Sequence, residues 1–438
     1  MYRSSSDVMM QIILFSRSSI SLSCVSYHRR YSNMMPKWTD LEFLIRSHLH
    51  VKVLKNKLAP ELPRYLDLAR KELDYGWALD VPQPEDWTEV DIQHITRMLI
   101  ARMSAKVFLG FPTCRNKKWL KVSIDYSIDA FTTAFILRMF PTWSHFIVAQ
   151  LLPSRYRMKQ EVRTAMQVVG SLIEKREDNA RRRNRGEMVE DDEDTLMHWM
   201  LDNGTEEEIK LQEMATRQCV LTLASIHTTA TNTANVLFDL CAHPEWFPVL
   251  REEISKVNSA IGSLDEQPET GVRRWHSKLE KLDSFLMETL RFNPPIILGP
   301  QRLALQSLTL RDGTHIEAGT KISFANYHHM HDPEVVPDPN TFDPMRSYRK
   351  RQASPEEHHR HQAWLTDINE NLSFGYGNQA CPGRFFAVAE VKMVIARFLD
   401  NFEFKFPEGK SRPLMKFADE NSFIDPSARL LMRKRKVE

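Results

Sequence analysis

Five cysteines stand in this 438-residue chain: Cys24, Cys114, Cys219, Cys241 and Cys381. Only the last keeps unusual company, in the run Phe374-Gly375-Tyr376-Gly377-Asn378-Gln379-Ala380-Cys381-Pro382-Gly383-Arg384. Glycine is scarce, with 14 in the whole chain, and three of them surround this one thiol. Proline is favoured at the first helical position, so Pro382 predicts a helix with Cys381 as its N-cap. There the helix dipole and free N–H groups favour a thiolate. Gly375 and Gly377 permit a tight bulge and the close approach of something flat and bulky. Gly383 keeps the first helical turn narrow against that object, and Phe374 shields the sulfur from water. A shielded thiolate facing open space is what an axial metal ligand requires, and on haem iron it favours O–O cleavage. The plainer reading is a small buried cysteine in a glycine loop.

Two further groups of residues could carry chemistry. Glu288 and Arg291 are three apart, so they share a helix face and can pair, and Pro294 and Pro295 end that helix soon after. In Ala224-Ser225-Ile226-His227-Thr228-Thr229, adjacent threonines are poor helix formers and polar residues interrupt an apolar stripe. A histidine near its ordinary pKa of about 6.5 can pass protons. A core histidine satisfied by a hydrogen bond is the alternative. The clusters His328-His329-His331 and His358-His359-His361 suggest metal at first sight but lack a matching second ligand set.

The elements that must position these residues are mostly helical. Leu41, Leu44, Ile45 and Leu49 recur at helical spacing, as do apolar residues around 91–109 and 127–153, with breaks at Pro112, Pro141 and Pro153. The charge block between Glu174 and Asp194 predicts two solvated helix ends and a mobile surface loop. Thr205 with Glu208 forms a capping box, which predicts a long helix from Thr205 through Cys241. Beyond about residue 300, Ser307–Leu310 and His315-Ile316 flank an Asp-Gly turn, Arg311-Asp312-Gly313-Thr314, and read as a hairpin. A short strand, Lys321–Phe324, follows, then a loop rich in proline and aspartate, and the chain ends in short strands.

Phe374-x-x-Gly377-x-x-x-Cys381-x-Gly383 resembles the haem-binding signature of the cytochrome P-450 superfamily, which fixes four residues over ten positions. The resemblance covers residues 40–438. It implies a mainly α fold with a small β annex, in which the membrane anchor, first β strands and first helices of the family are not recognisable. It implies haem b with Cys381 as the iron's axial ligand and Phe374, Gly377 and Gly383 around it. Arg302 and Gln379 would meet the haem propionates, Gln379 standing where the family usually has Arg or His. Thr228 matches the threonine of the oxygen site. His227 takes the place of the usual acid in proton delivery, and Ser225 that of the usual glycine. Glu288 and Arg291 would lock to Arg346 of Phe342-Asp343-Pro344-Met345-Arg346. Ala224, Ile226, Ile296, Leu298 and Phe423 are the expected apolar pocket. The helix His48–Lys57 resembles the family's early helix that carries a Trp-x-x-x-Arg pattern, with Lys55 in the arginine position and Val51 in place of tryptophan.

The implied activity is insertion of one oxygen atom from O2 into a small apolar organic substrate, a terpenoid-type secondary metabolite of the kind filamentous fungi make. Electrons would come from NADPH through a flavoprotein reductase. The alternatives are an O2-independent haem-thiolate isomerase or dehydratase, and a truncated inactive haem-binding product. The net charge of +2 offers no field to draw nucleic acid. The cysteines form no C-x-x-C pair, so a reducing compartment is the default. Residues 1–37 read as a disordered leader or the product of a mis-assigned start, with residues 38–438 as the haem domain. No run reaches the roughly 18 apolar residues that span a bilayer. A full-length form would sit at the endoplasmic reticulum membrane, whereas the chain as given would be cytoplasmic or, from its Ser- and Arg-rich start, mitochondrial.

Overall fold

The computed structural model describes residues 43–189, 193–310 and 312–436. Leu41 and the leader lie outside them. In chain order the helices are α1 (Phe43–Arg46), α2 (Leu49–Val53), α3 (Leu62–Asp80), α4 (Ile92–Leu109), α5 (Lys117–Arg138), α6 (His145–Leu151) and α7 (Pro153–Asn184). Then come α8 (Leu196–Asn203), α9 (Leu211–Ala242), α10 (Trp246–Ile261), α11 (Gly271–Lys278), α12 (Glu280–Phe292), α13 (Asn326–His329), α14 (Arg346–Arg351) and α15 (Arg384–Asn401). The strands are β1 (Thr88–Val90), β2 (Gln301–Leu303), β3 (Leu308–Thr309), β4 (His315–Ile316), β5 (Lys321–Ser323), β6 (Phe402–Lys405), β7 (Met415–Ala418), β8 (Asn421–Ile424) and β9 (Leu430–Lys434).

One compact unit contains residues 43–80 and 97–227. Its largest packing is α5 along α7. The Asn116 side chain caps α5, accepting from the N–H groups of Lys118 and Trp119, a contact worth about 1 kcal/mol. Trp119, Tyr126, Ala130 and Leu137 on α5 are buried, yet Ile128, Phe131 and Phe135 on the same helix are exposed. The helix is therefore apolar on more than its core side. The expected break at Pro153 is present: α6 ends at Leu151, Leu152 is extended, and Pro153 opens α7 at its first position. The expected early helix appears as α2 continued by a π turn, Leu54–Leu58.

Two expectations are corrected in this unit. The central helix starts at Leu211, not Thr205. The capping box is present, with Thr205 N–H donating to Glu208 at 3.0 Å, but it closes a separate turn. Glu208 is held there because its other oxygen accepts from Ser47 Oγ at 2.5 Å. The end of the charge block is also not a free loop. Glu193 pairs with Lys106 and accepts from the Phe111 N–H, and Asp194 pairs with Lys57 and Arg64. Glu190–Asp192 lie outside the described residues.

The second unit contains residues 81–96 and 228–436. Its sheets are small and antiparallel: β1-β9-β6, β2 with β5, β3 with β4, and β7 with β8. The Asp-Gly hairpin forms as expected, with Gly313 at φ +90° and Leu308 opposite Ile316. Helix α15 is apolar nearly all round, and Phe386, Val391, Val394, Ile395 and Phe398 are buried. Its one buried cation, Lys392, meets Asp283 of α12 at 3.0 Å, so the helix that follows the cysteine is tied to the helix bearing Glu288 and Arg291. Among the described residues no helix is long and apolar enough to cross a membrane.

Candidate active site

The cysteine loop is built by its own backbone. Cys381 N–H donates to the Phe374 carbonyl at 2.8 Å, Gly375 N–H to Leu372 at 2.9 Å, and Ala380 N–H to Gly377 at 3.0 Å. Gly375 and Gly377 sit at φ +74° and +67°, in the left-handed region that disfavours side chains. A Cβ on Gly377 or Gly383 would meet no atom within 4 Å, so both glycines border open space. Cys381 and Phe374 are partly exposed. A soft sulfur donor on a loop edged by glycine fits an iron porphyrin in both chemistry and shape.

Cys381 is not the helix cap. Helix α15 starts at Arg384 with Gly383 as N-cap, because Pro382 and Gly383 are spent on a turn. The first full helical hydrogen bond there runs from Ala387 N–H to the Gly383 carbonyl, at 2.9 Å. The positive charge near the sulfur comes instead from Arg384, which sequence reasoning missed. Its Nη1 donates to the Cys381 carbonyl at 2.8 Å. Burial lowers the guanidinium's pKa and the neighbouring Cys381 raises it. The signal was present in the sequence as the arginine three residues after the cysteine.

Glu288 and Arg291 form a buried bidentate pair, with Nε at 3.0 Å and Nη2 at 2.8 Å from the carboxylate. Arg346 Nε lies 3.7 Å from the same carboxylate. Arg291 also donates to the carbonyls of Met330 (3.0 Å) and Pro339 (2.8 Å), and Arg346 to that of Pro337 at 2.6 Å. The three charges thus clamp the loop 330–341 rather than merely balancing one another. A second missed residue is Asn371. Its amide donates to the carbonyls of Ala363 (3.0 Å) and Leu365 (2.8 Å), and its oxygen accepts from Ser373 N–H at 3.1 Å, just ahead of Phe374.

Arg302 is buried on β2 opposite Ile322, with Nη1 on the Gln301 carbonyl at 2.9 Å. Gln379 ends the 3-10 turn Gly377–Gln379. On α9, Ala224 is exposed and Thr228 partly exposed, one turn apart and hence on one face. Ile226 is not on it. It is fully buried and packs with Ala101 and Leu120, which removes it from the expected pocket. Ile296 and Phe423 are 38% and 40% exposed and come from adjoining segments, since Ile296 bridges Asn421. Leu298 is partly buried.

His227 departs from the expected proton relay. Its Nε2 lies 3.0 Å from the Ile124 carbonyl of α5, so that nitrogen carries hydrogen and is used. Burial, the largest influence, lowers its pKa to about 4. It is therefore a neutral strut at ordinary pH. Three histidines of the two clusters also have partners: His329 Nε2 bonds the Ile368 carbonyl, His331 Nδ1 the Tyr327 carbonyl, and His361 two glutamates.

The sequence profile of the family described as Cytochrome P450 matches residues 36–431. The chain is 47% identical to the cytochrome P450 monooxygenase ATR4 of Stachybotrys chlorohalonatus, over 92% of this chain and 75% of that protein. It is 39% identical to ent-kaurene oxidase P450-4 of Gibberella fujikuroi, over 90% of this chain and 75% of that one. The solved structure of retinoic acid bound cyanobacterial CYP120A1 shares the fold with a TM-score of 0.65, at 19% identity over 90% of this chain and 79% of that chain. The chain belongs to the cytochrome P450 family and is an oxygen-incorporating oxidoreductase with a haem-thiolate centre.

Proposed function

We propose that Cys381 provides the thiolate and that the protein oxidises a terpenoid-type secondary metabolite, drawing electrons from NADPH through a flavoprotein reductase at the endoplasmic reticulum membrane. The observation that carries the cysteine assignment is the loop itself, with two left-handed glycines, open space beside Gly377 and Gly383, and Arg384 bonded to the Cys381 carbonyl. Bound there, the haem supplies dioxygen activation for transfer of one oxygen atom into a C–H bond. The chain's own residues do the rest. The loop hydrogen bonds fix the sulfur, and Arg384 stabilises its charge. Arg302 and Gln379 offer donors for the propionates, with one formal charge fewer than the family usually gives. Thr228 lies one turn along α9 from Ala224, whose small side chain leaves room. Ile296, Leu298 and Phe423 offer apolar surface to a hydrocarbon substrate. The support for a terpenoid is the relative named as an ent-kaurene oxidase.

The test is optical. Reduced protein with carbon monoxide should show the Soret shift of a thiolate-ligated haem, and Cys381→Ala should abolish it. A shift that survives in the variant overturns the ligand assignment. Dioxygen-dependent NADPH consumption in the presence of the reductase, lost in Thr228→Ala, separates oxygen insertion from isomerisation or dehydration.

A further inference from the structure

The loop that precedes the cysteine is bolted at one residue. Both ring nitrogens of His361 face carboxylates: Nε2 lies 2.6 Å from Glu357, and Nδ1 is in close contact with Glu370. The ring is thus gripped by a carboxyl group on each side. Each glutamate is itself held from its other oxygen, Glu370 by Lys350 at 2.8 Å and Glu357 by Arg360 at 3.1 Å. His361 also sits at φ +57°, a left-handed backbone that histidine tolerates but does not prefer. Something must hold it there, and the two carboxylates do.

The bolt leads to the cysteine by short steps. Glu370 lies inside a closed turn in which Asp367 and Asn371 exchange both backbone hydrogen bonds, each 2.9 Å. Asn371 then ties Ala363, Leu365 and Ser373 together, and Phe374 accepts the Cys381 N–H at 2.8 Å. The other side of the loop is fixed by Ala363 N–H on Asp283 at 2.9 Å, the carboxylate that also holds Lys392 of α15. We propose that His361 is a positioning residue. Its imidazole closes the segment 357–370 on itself and thereby sets Asn371, and through it the Phe374–Cys381 hairpin.

This inference rests on Cys381 as the haem ligand, and its test separates the two. Hydrogen–deuterium exchange is followed in the haem-loaded protein, together with the thiolate-type carbon monoxide band. In His361→Ala, amides of 362–376 should exchange about tenfold faster while α5 and α10 are unchanged, because a lost charge-assisted hydrogen bond opens a loop locally. The thiolate-type band should be lost at a lower urea concentration than global unfolding. His361→Arg, which offers donors to both carboxylates, should recover most of both effects. Glu370→Gln should reproduce the loss with the histidine intact. Unchanged exchange at 362–376 in His361→Ala overturns the proposal. So does exchange accelerated uniformly over the chain, or failure of both His361→Ala and Glu370→Gln to fold, since either would make the residue a general stabiliser. Absence of the thiolate-type band in the wild type would defeat the ligand reading, while the exchange comparison would still decide the bolt.

Discussion

One carboxylate, Glu288, answers two guanidinium groups from a position only 4% exposed. Glu288→Gln leaves Arg291 buried without its counter-charge, at a cost of about 3–5 kcal/mol. The expected outcome is a fall in unfolding temperature with loss of bound haem, read by circular dichroism and the Soret band. An unchanged transition would show that the carbonyls around Arg291 suffice. The pair was legible in the sequence because its spacing fixes a shared face. The role of His227 was not, because its partner is the Ile124 carbonyl, 103 positions away and indistinguishable in sequence from any other carbonyl. Its lowered pKa has a defined sign. The unfolded histidine takes a proton below about 6.5, whereas the folded one resists until about 4, so stability is intact above 6.5 and is lost as pH falls to 4. His50 and His276, each lowered by burial to about 3, act in the same direction. Thermal denaturation across that window should therefore be less pH-dependent in His227→Gln than in the wild type, and activity should show no step near 6.5 from this residue.

At the scale of elements, the α5–α7 pair carries a titration of opposite sign. Arg157 of α7 grips Asp129 of α5 at 2.9 Å and 2.5 Å, and Glu161, one turn further along α7, faces the same carboxylate. Burial first, then Asp129 and Asp125, push Glu161 up to about 7, with Lys121 opposing. A raised carboxyl pKa contributes stability below its ordinary value of 4.5 and loses it as pH climbs to 7. Glu161→Gln should unfold at a higher temperature than the wild type at pH 8 and at the same temperature at pH 4.5, measured by scanning calorimetry. Equal shifts at both pH values would refute the assignment. The cysteine loop gives a second expectation. Gly377→Ala meets no neighbour, so only the left-handed backbone opposes it, at about 1 kcal/mol. Its thiolate-type band should persist but be lost at lower urea. The glycines and the Asp-Gly hairpin were readable locally. The start of α9 was not, because Ser47, far away in sequence, holds Glu208 on a separate turn.

For the whole molecule, composition alone hid where apolar side chains face water. With 42% hydrophobic residues the chain looks ordinary, yet Met139, Trp143, Phe146 and Leu151 are 69%, 73%, 60% and 74% exposed. An apolar stretch without clear periodicity cannot say which of its sides is covered. Exposed apolar surface of this kind drives association. Trp143→Ser combined with Phe146→Ser should stay monodisperse at concentrations where the wild type scatters light, and equal scattering would show that another surface is responsible. The family itself was legible from ten positions around one cysteine, because the backbone demanded there is so unusual. The arginine clamp has a further consequence, for insertions and deletions. Arg291 reaches the carbonyls of Met330, Pro339 and Thr341, and Arg346 those of Pro337 and Asp338. These bonds count residues: one amino acid added or removed between positions 331 and 336 would shift one side of the clamp against the other. That stretch is a ruler of fixed length, and lineages descending from this protein should vary its letters while leaving its length alone.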